Sequence, residues 1–178
     1  SKSITNAKNN PNALVTSFPD EDEYFSADQL SAPLSFYDCA PISDGASAMI
    51  IGTKEVASKL GLQKVKISNI RHSIESSNFG ARDLSTSQSL IGLNKKMNLS
   101  NVSLDFVELH TQFTYEIPFI RKLLDLGDID INLSGGPLAG NVMMAAGLDS
   151  IGKAYEVLKN QDFHHGLAHA TSGPCLQQ

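Results

Sequence analysis

Residues 104–113, Leu104-Asp105-Phe106-Val107-Glu108-Leu109-His110-Thr111-Gln112-Phe113, decide the fold. The run LDFVEL at 104–109 reads as a short strand. A histidine follows it at once. Phe113, Ile117, Ile120, Leu123 and Leu124 then recur at helical spacing. Pro118 fits a helix only near its first turn, so the regular helix is expected to start close to it. A strand that hands over to a helix through a polar residue is one step of an alternating α/β chain.

The same alternation continues on both sides. Upstream, residues 46–52 (ASAMIIG) read as an apolar strand. Thr53 caps a helix to Leu60, with Gly61 as its stop. Residues 64–71 (KVKISNIR) alternate with period two, as a half-buried strand does. A helix is expected over 85–97, capped by Asp83 or Ser85. Downstream, a glycine-rich loop at 132–136 precedes a helix over 142–158. Its apolar stripe is Met144, Gly147, Leu148, Ile151, Tyr155 and Leu158. Residues 166–170 form a last short strand. The order β-α-β-α-β-α-loop-α-β predicts a layered α/β domain with helices covering a sheet. A closing strand beyond 170 is not supplied, so the sheet is expected to be incomplete at that edge. Residues 1–33, with Pro11, Pro19 and Pro33, read as a loop or arm with one short helix near 26–30, and its acidic run Asp20-Glu21-Asp22-Glu23 reads as a solvated loop in preference to a binding surface.

Bulk properties exclude several function classes. The 178 residues suit one domain, or one domain plus part of another. A 41% hydrophobic content supports a sizeable core. The net charge of -5 and the lack of a basic stripe argue against nucleic-acid binding. No apolar run has membrane-span length, and no signal-peptide pattern opens the chain. Ser1 in place of an initiator methionine points to a processed, engineered or fragmentary chain. Two distant cysteines, Cys39 and Cys175, suit a reducing cytoplasm rather than a disulfide scaffold.

Candidate chemistry sits where strands end. His110, at a strand-to-helix junction, can donate to an oxygen that develops negative charge, or simply cap the helix. In Asn132-Leu133-Ser134-Gly135-Gly136, the two glycines would let backbone amides approach a ligand closely; an ordinary turn is the alternative. The segment is neither a Walker loop nor a Rossmann fingerprint. His169 ends the last strand, ahead of a glycine turn. His164, His165 and His169 do not show the commoner metal-ligand spacings, so no metal site is expected. Cys39 precedes Pro41 and reads as a structural thiol. No serine elbow is present. The chain offers acid/base groups without a convincing nucleophile.

Four segments carry a resemblance. Asp38-Cys39-Ala40-Pro41-Ile42-Ser43-Asp44-Gly45-Ala46, Glu108-Leu109-His110-Thr111-Gln112-Phe113-Thr114, Asn132-Leu133-Ser134-Gly135-Gly136 and His169-Ala170-Thr171-Ser172-Gly173-Pro174 resemble, in that order, the C-terminal half of a thiolase. The nearest branch is the archaeal and sterol-carrier-protein-like acetyl-CoA acetyltransferases. The resemblance covers almost the whole chain; residues 6–14 (NAKNNPNAL) are similar to the end of the family's loop region. It implies two α/β halves, each with a five-stranded mixed sheet between helices. Residues 1–33 would be a loop-region remnant, 34–62 the last strand and helix of the N-terminal half, and 63–178 the C-terminal half.

The resemblance also implies roles. His110 would hold the thioester oxygen, and His169 would exchange a proton with the substrate's α-carbon. Ser134, Gly135, Gly136 and Gly173 would line the substrate. No covalent cofactor is implied; a coenzyme A thioester is the substrate. The nucleophilic cysteine would lie in the N-terminal half, so the chain alone is expected to be inactive. Implied partners are that half and, in the parent protein, further copies forming a dimer or tetramer. An apolar face that meets the sister half would be left open. Two departures stand out. Asn141 occupies the place of the family's Gly-His-Pro histidine and cannot act as a base near neutral pH. Thr111-Gln112 replaces Asp-Ala beside His110. These leave two expectations: Claisen-type acyl transfer, or a non-catalytic acyl-CoA-binding subunit.

Overall fold

A computed structural model describes residues 2–62, 65–78 and 80–172. In chain order its regular elements are α1 (Lys2–Asn6), α2 (Glu21–Ser26), β1 (Gln29–Ser31), β2 (Leu34–Ser35), α3 (Lys54–Lys59), α4 (Gln88–Met97), β3 (Phe106–Glu108), α5 (Glu116–Leu124), β4 (Asp130–Ile131), α6 (Ala146–Asn160) and β5 (Gly166–Ala168). The chain is mixed α/β, with a small antiparallel pair β1-β2 and a parallel sheet in the order β4-β3-β5.

The parallel sheet is built around β3. Phe106 and Val107 pair with Asp130 and Ile131 on one side. Phe106, Val107 and Glu108 pair with Gly166, Leu167 and Ala168 on the other. The crossover from β3 to β4 runs through α5, and the crossover from β4 to β5 runs through α6. The chain therefore reverses direction across the sheet at β3, the place where open parallel sheets gather ligands at their C-terminal ends.

Strand alternation sorts the core into two layers. Val107, Leu109 and Ile131 join Leu90, Leu99, Ile120, Leu124 and Leu126 on the side of α4 and α5. Phe106 joins Ala154 and Val157 of α6 on the other side, with Leu133, Leu158 and Phe163 around them. Gly166 is required there, because a Cβ would lie 2.5 Å from the Phe106 ring.

Local sequence sets the helix ends. Thr53 Oγ1 accepts from Val56 N–H, and Gly61 takes a left-handed φ of +64° after α3. Ser87, rather than Asp83 or Ser85, caps α4 by accepting from Leu90 N–H. Glu75 gathers Ser87, Ser89 and the Ser89 N–H at the same helix start. Pro118 occupies the third position of α5, where its missing N–H costs no helical bond.

Three expectations are corrected. Residues 46–52 and the described part of 64–71 form no strand; Ile50 is 100% and Ile70 71% exposed. Among the described residues, no neighbouring strand completes a ladder with them. Second, the acidic run is not a solvated loop: Asp20 caps α2 and accepts from Glu23 N–H, while Glu21, Asp22 and Glu23 fill its first turn, where the helix dipole favours them. The helix expected at 26–30 therefore lies earlier, and β1 occupies 29–31. Third, α6 begins at Ala146, after a 3₁₀ turn over Met143–Ala145. Its buried stripe is Ala146, Ser150, Ala154 and Val157, whereas Met144 is fully exposed. Small residues win that face because the helix must approach the sheet closely beside Phe106. The arm at 1–33 is also held to the body. Ser3, Ile4 and Ala7 are buried, Lys2 pairs with Asp130 at 2.7 Å, and Leu14 and Val15 both donate to the Ala139 carbonyl. Strand β4, absent from the sequence reading, is too short at two residues for periodicity to reveal.

Candidate active site

The C-terminal ends of the three parallel strands bring the predicted groups together. The ladder continues past β3 and β5: His169 N–H donates to the Glu108 carbonyl at 2.9 Å, and His110 N–H donates to the His169 carbonyl at 3.2 Å. The two histidines are thus neighbours, although 59 positions separate them. Both are buried, at 4% and 7% exposure.

His110 has a defined tautomer. Its Nδ1 accepts from Thr171 N–H at 3.3 Å, so in the neutral ring the proton sits on Nε2. That Nε2 is buried and meets no hydrogen-bond partner among the described residues. Burial holds the imidazole below its ordinary pKa, keeping it neutral near physiological pH. The site therefore presents a neutral N–H donor, the form suited to an oxygen that gains charge.

The Ser134 loop is fixed by a residue the sequence reading did not single out. Glu108 is 1% exposed. Its Oε1 accepts from Ser134 N–H at 3.0 Å and its Oε2 accepts from Ser134 Oγ–H at 2.6 Å. Ser134 Oγ in turn accepts from Gly136 N–H at 3.1 Å. Burial pushes the Glu108 carboxyl above the ordinary glutamate range, and the two bonds from Ser134 only partly offset this. The signal was present: Phe106, Glu108 and His110 alternate on one face of a buried strand, where a carboxylate needs a partner.

Asn132 has a structural part that its sequence context does not signal. It is fully buried with φ +53°, and its Oδ1 accepts from Leu109 N–H at 2.6 Å, so a side chain extends the β3–β4 ladder.

Gly135 and Gly136 answer to the chain's own packing. Gly135 has φ +95°, and a Cβ there would lie 2.6 Å from the Ala7 Cβ. Gly136 has φ +60°, and a Cβ would lie 2.3 Å from Asn132 Nδ2. The arm reinforces this cover: Asn6 Nδ2 donates to the Asn132 carbonyl and Asn10 Nδ2 to the Ser134 carbonyl. Gly173 and Cys175 lie outside the described residues.

Asn141 joins the site indirectly. Its Oδ1 accepts from Met143 N–H at 3.2 Å, and its Nδ2 faces Met143 Sδ at 3.9 Å. Its backbone pairs with the segment that follows Cys39: Asn141 N–H donates to the Pro41 carbonyl and Ser43 N–H to the Asn141 carbonyl. That segment also meets the His110 loop, where Ala40 N–H donates to the Gln112 carbonyl at 2.7 Å. Asp38 anchors it. Tyr24 OH and Thr114 Oγ1 donate to one carboxylate oxygen at 2.7 and 2.6 Å, and Ser35 N–H and Oγ–H to the other. Burial raises the Asp38 carboxyl, but these bonds outweigh it and hold the group below its ordinary value.

Cys39 is half-buried beside the Ser35 carbonyl, and burial together with the Asp38 charge raises its thiol pKa. It is not an activated nucleophile. Among the described residues no cluster of three or more His, Cys, Asp or Glu is arranged to hold a metal ion. No helix there is long and apolar enough to cross a membrane. A cleft of about 510 Å³, lined by Asp105, Leu126 and Asp128, lies at the opposite, N-terminal end of the strands. No family model matches the chain.

Proposed function

We propose that the chain supplies the acid/base half of a thiolase-like acyl-transfer site acting on coenzyme A thioesters. The observation that carries this is the junction of His110 and His169 on adjoining parallel strand ends, with His110 Nε2–H bare and its tautomer set by Thr171. In this reading the three parallel strands belong to a larger, five-stranded mixed sheet. His169 takes a proton from the thioester's α-carbon, and His110 donates to the enolate oxygen that forms. The carbanion then attacks an acyl group held as a thioester on a cysteine of an N-terminal half, and that thiolate leaves. The thiol chemistry of Cys39 supports a nucleophile elsewhere. The parent protein is read as a cytoplasmic homo-oligomer.

The amide of Asn141 favours a second reading, a non-catalytic acyl-CoA-binding subunit. It is committed to a turn with Met143 and offers no titratable group.

Titration calorimetry with acetyl-CoA tests the shared part of both. Binding is expected, and it should weaken at least about tenfold in His110→Ala. No binding to the chain, or equal binding by the variant, overturns the proposal. Acetoacetyl-CoA thiolysis separates the readings. The chain alone should be inactive, and adding a nucleophile-bearing half should restore turnover only if the enzyme reading holds.

A further inference from the structure

We infer that Glu108 is a positioning residue whose carboxylate clamps the Ser134-Gly135-Gly136 loop to the end of β3, holding it in register with His110. The inference rests on the acyl-CoA reading for the ligand, but the clamp itself stands on geometry.

Three observations carry it. The contact is two-pointed: Glu108 takes the Ser134 N–H on one oxygen and the Ser134 Oγ–H on the other. Such a pair fixes both position and orientation of the serine. The clamp then propagates, because Ser134 Oγ, while donating to Glu108, also accepts from Gly136 N–H. One carboxylate thus orders two of the loop's amides. Finally, its location is expensive. Glu108 is 1% exposed, in an otherwise apolar strand between two neighbours. A buried carboxylate in that position costs stability rather than adding it. The fold keeps it on the same face as His110, two residues before it.

The clamp is strongest in the ionised form. Each carboxylate oxygen then accepts one charge-assisted bond from Ser134, whereas a protonated Oε2 would have to donate to a reoriented Ser134 Oγ. The charged groups that act on Glu108 from α6 are Lys153 and Asp149, themselves paired at 2.7 Å, and His110 follows on its own strand. Lys153 favours the carboxylate and Asp149 opposes it, so the pair leaves the balance to burial and the Ser134 bonds. Loop order should therefore rise with pH as Glu108 ionises.

Amide hydrogen exchange on the ¹⁵N-labelled full chain tests this, with Glu108→Gln and Ser134→Ala. In Glu108→Gln the Ser134 and Gly136 amides should exchange at least about tenfold faster, while Leu109 and His169 amides keep their rates. In Ser134→Ala the Gly136 amide alone should accelerate. The Ser134 amide shift should follow one pH transition in the wild type and none in Glu108→Gln. Acetyl-CoA should bind at least about tenfold more weakly to Glu108→Gln. Unchanged loop exchange, uniform acceleration that includes His169, or unweakened binding despite a loosened loop each overturns the inference. If Glu108→Gln fails to fold, Ser134→Ala decides by the same two readouts. A wild type that binds no acetyl-CoA removes the acyl-CoA reading, while the exchange rates still judge the clamp.

Discussion

The sheet around β3 and the stretch at 46–52 contain similar residues and meet opposite fates. Phe106 and Val107 are 0% exposed, whereas Ile50 is 100% and Ile51 71% exposed. Both stretches are short, apolar and β-prone. The difference is company. Strand β3 has a parallel neighbour on each side and a helix layer on each face. Among the described residues, nothing gives 46–52 either one. An apolar pattern specifies a strand only where other segments can complete its hydrogen bonds and cover its side chains.

The largest test of that contrast is Phe106→Ala. The ring packs on Phe163, with centroids 5.4 Å apart, and fills the space above Gly166. Its loss should cost about 3–5 kcal/mol in urea unfolding. A cost under about 1 kcal/mol would mean that β3 is no better packed than the open stretch.

Next comes Asp38→Asn. Asp38 ties the segment that follows it to the body through four donated bonds. Losing the charge should cost about 2–3 kcal/mol at pH 7. The sign with pH is defined. Because the folded carboxyl sits below its ordinary value, its contribution is present above the ordinary aspartate pKa and disappears as pH falls through the folded one. Glu108 and Glu116 behave oppositely. Burial raises both, so their contribution is full below the ordinary glutamate range and declines as pH rises through the folded value. Glu108→Gln should therefore cost little global stability at pH 7 while Asp38→Asn costs most there. Matched urea curves at pH 7 and pH 4 check the crossing.

Gly135→Ala should be milder, about 1–3 kcal/mol, since its Cβ would press on Ala7 and Ala139 in a left-handed backbone. Adding Ala7→Gly should recover part of that loss. If the double variant is no better than the single one, the arm does not cover the loop.

How much of this was legible follows from the range of the forces involved. Helices announced themselves through local signals: Thr53 as a cap, Gly61 as a stop and Pro118 in a first turn all stand where local chemistry puts them. The strands 104–109 and 166–170 were recognisable, and with them the placing of His110 and His169 at strand ends. Their adjacency was not, because it depends on the order β4-β3-β5, which no local pattern encodes. The face of α6 was misread for a related reason. Hydrophobicity marked Met144, Leu148 and Ile151, but closeness to the sheet selected Ala146, Ser150 and Ala154. The role of Glu108 was half visible, since a carboxylate on a buried strand face signals a partner without naming Ser134. The tether between Ala7 and Gly135 was invisible, as it joins positions 128 residues apart.

The smallest expected effect is on the open side. Ile50→Ser and Ile70→Ser replace side chains that water already reaches, at 100% and 71% exposure. Neither fills a cavity or meets a core cluster, so neither has a mechanism for large destabilisation. Each should change the unfolding free energy by less than about 0.5 kcal/mol, with the urea midpoint essentially fixed. A loss above about 1 kcal/mol would show that water does not reach these side chains in solution. Company, not pattern, would then be what the surroundings of Ile50 and Ile70 had gained, and the contrast with β3 would vanish.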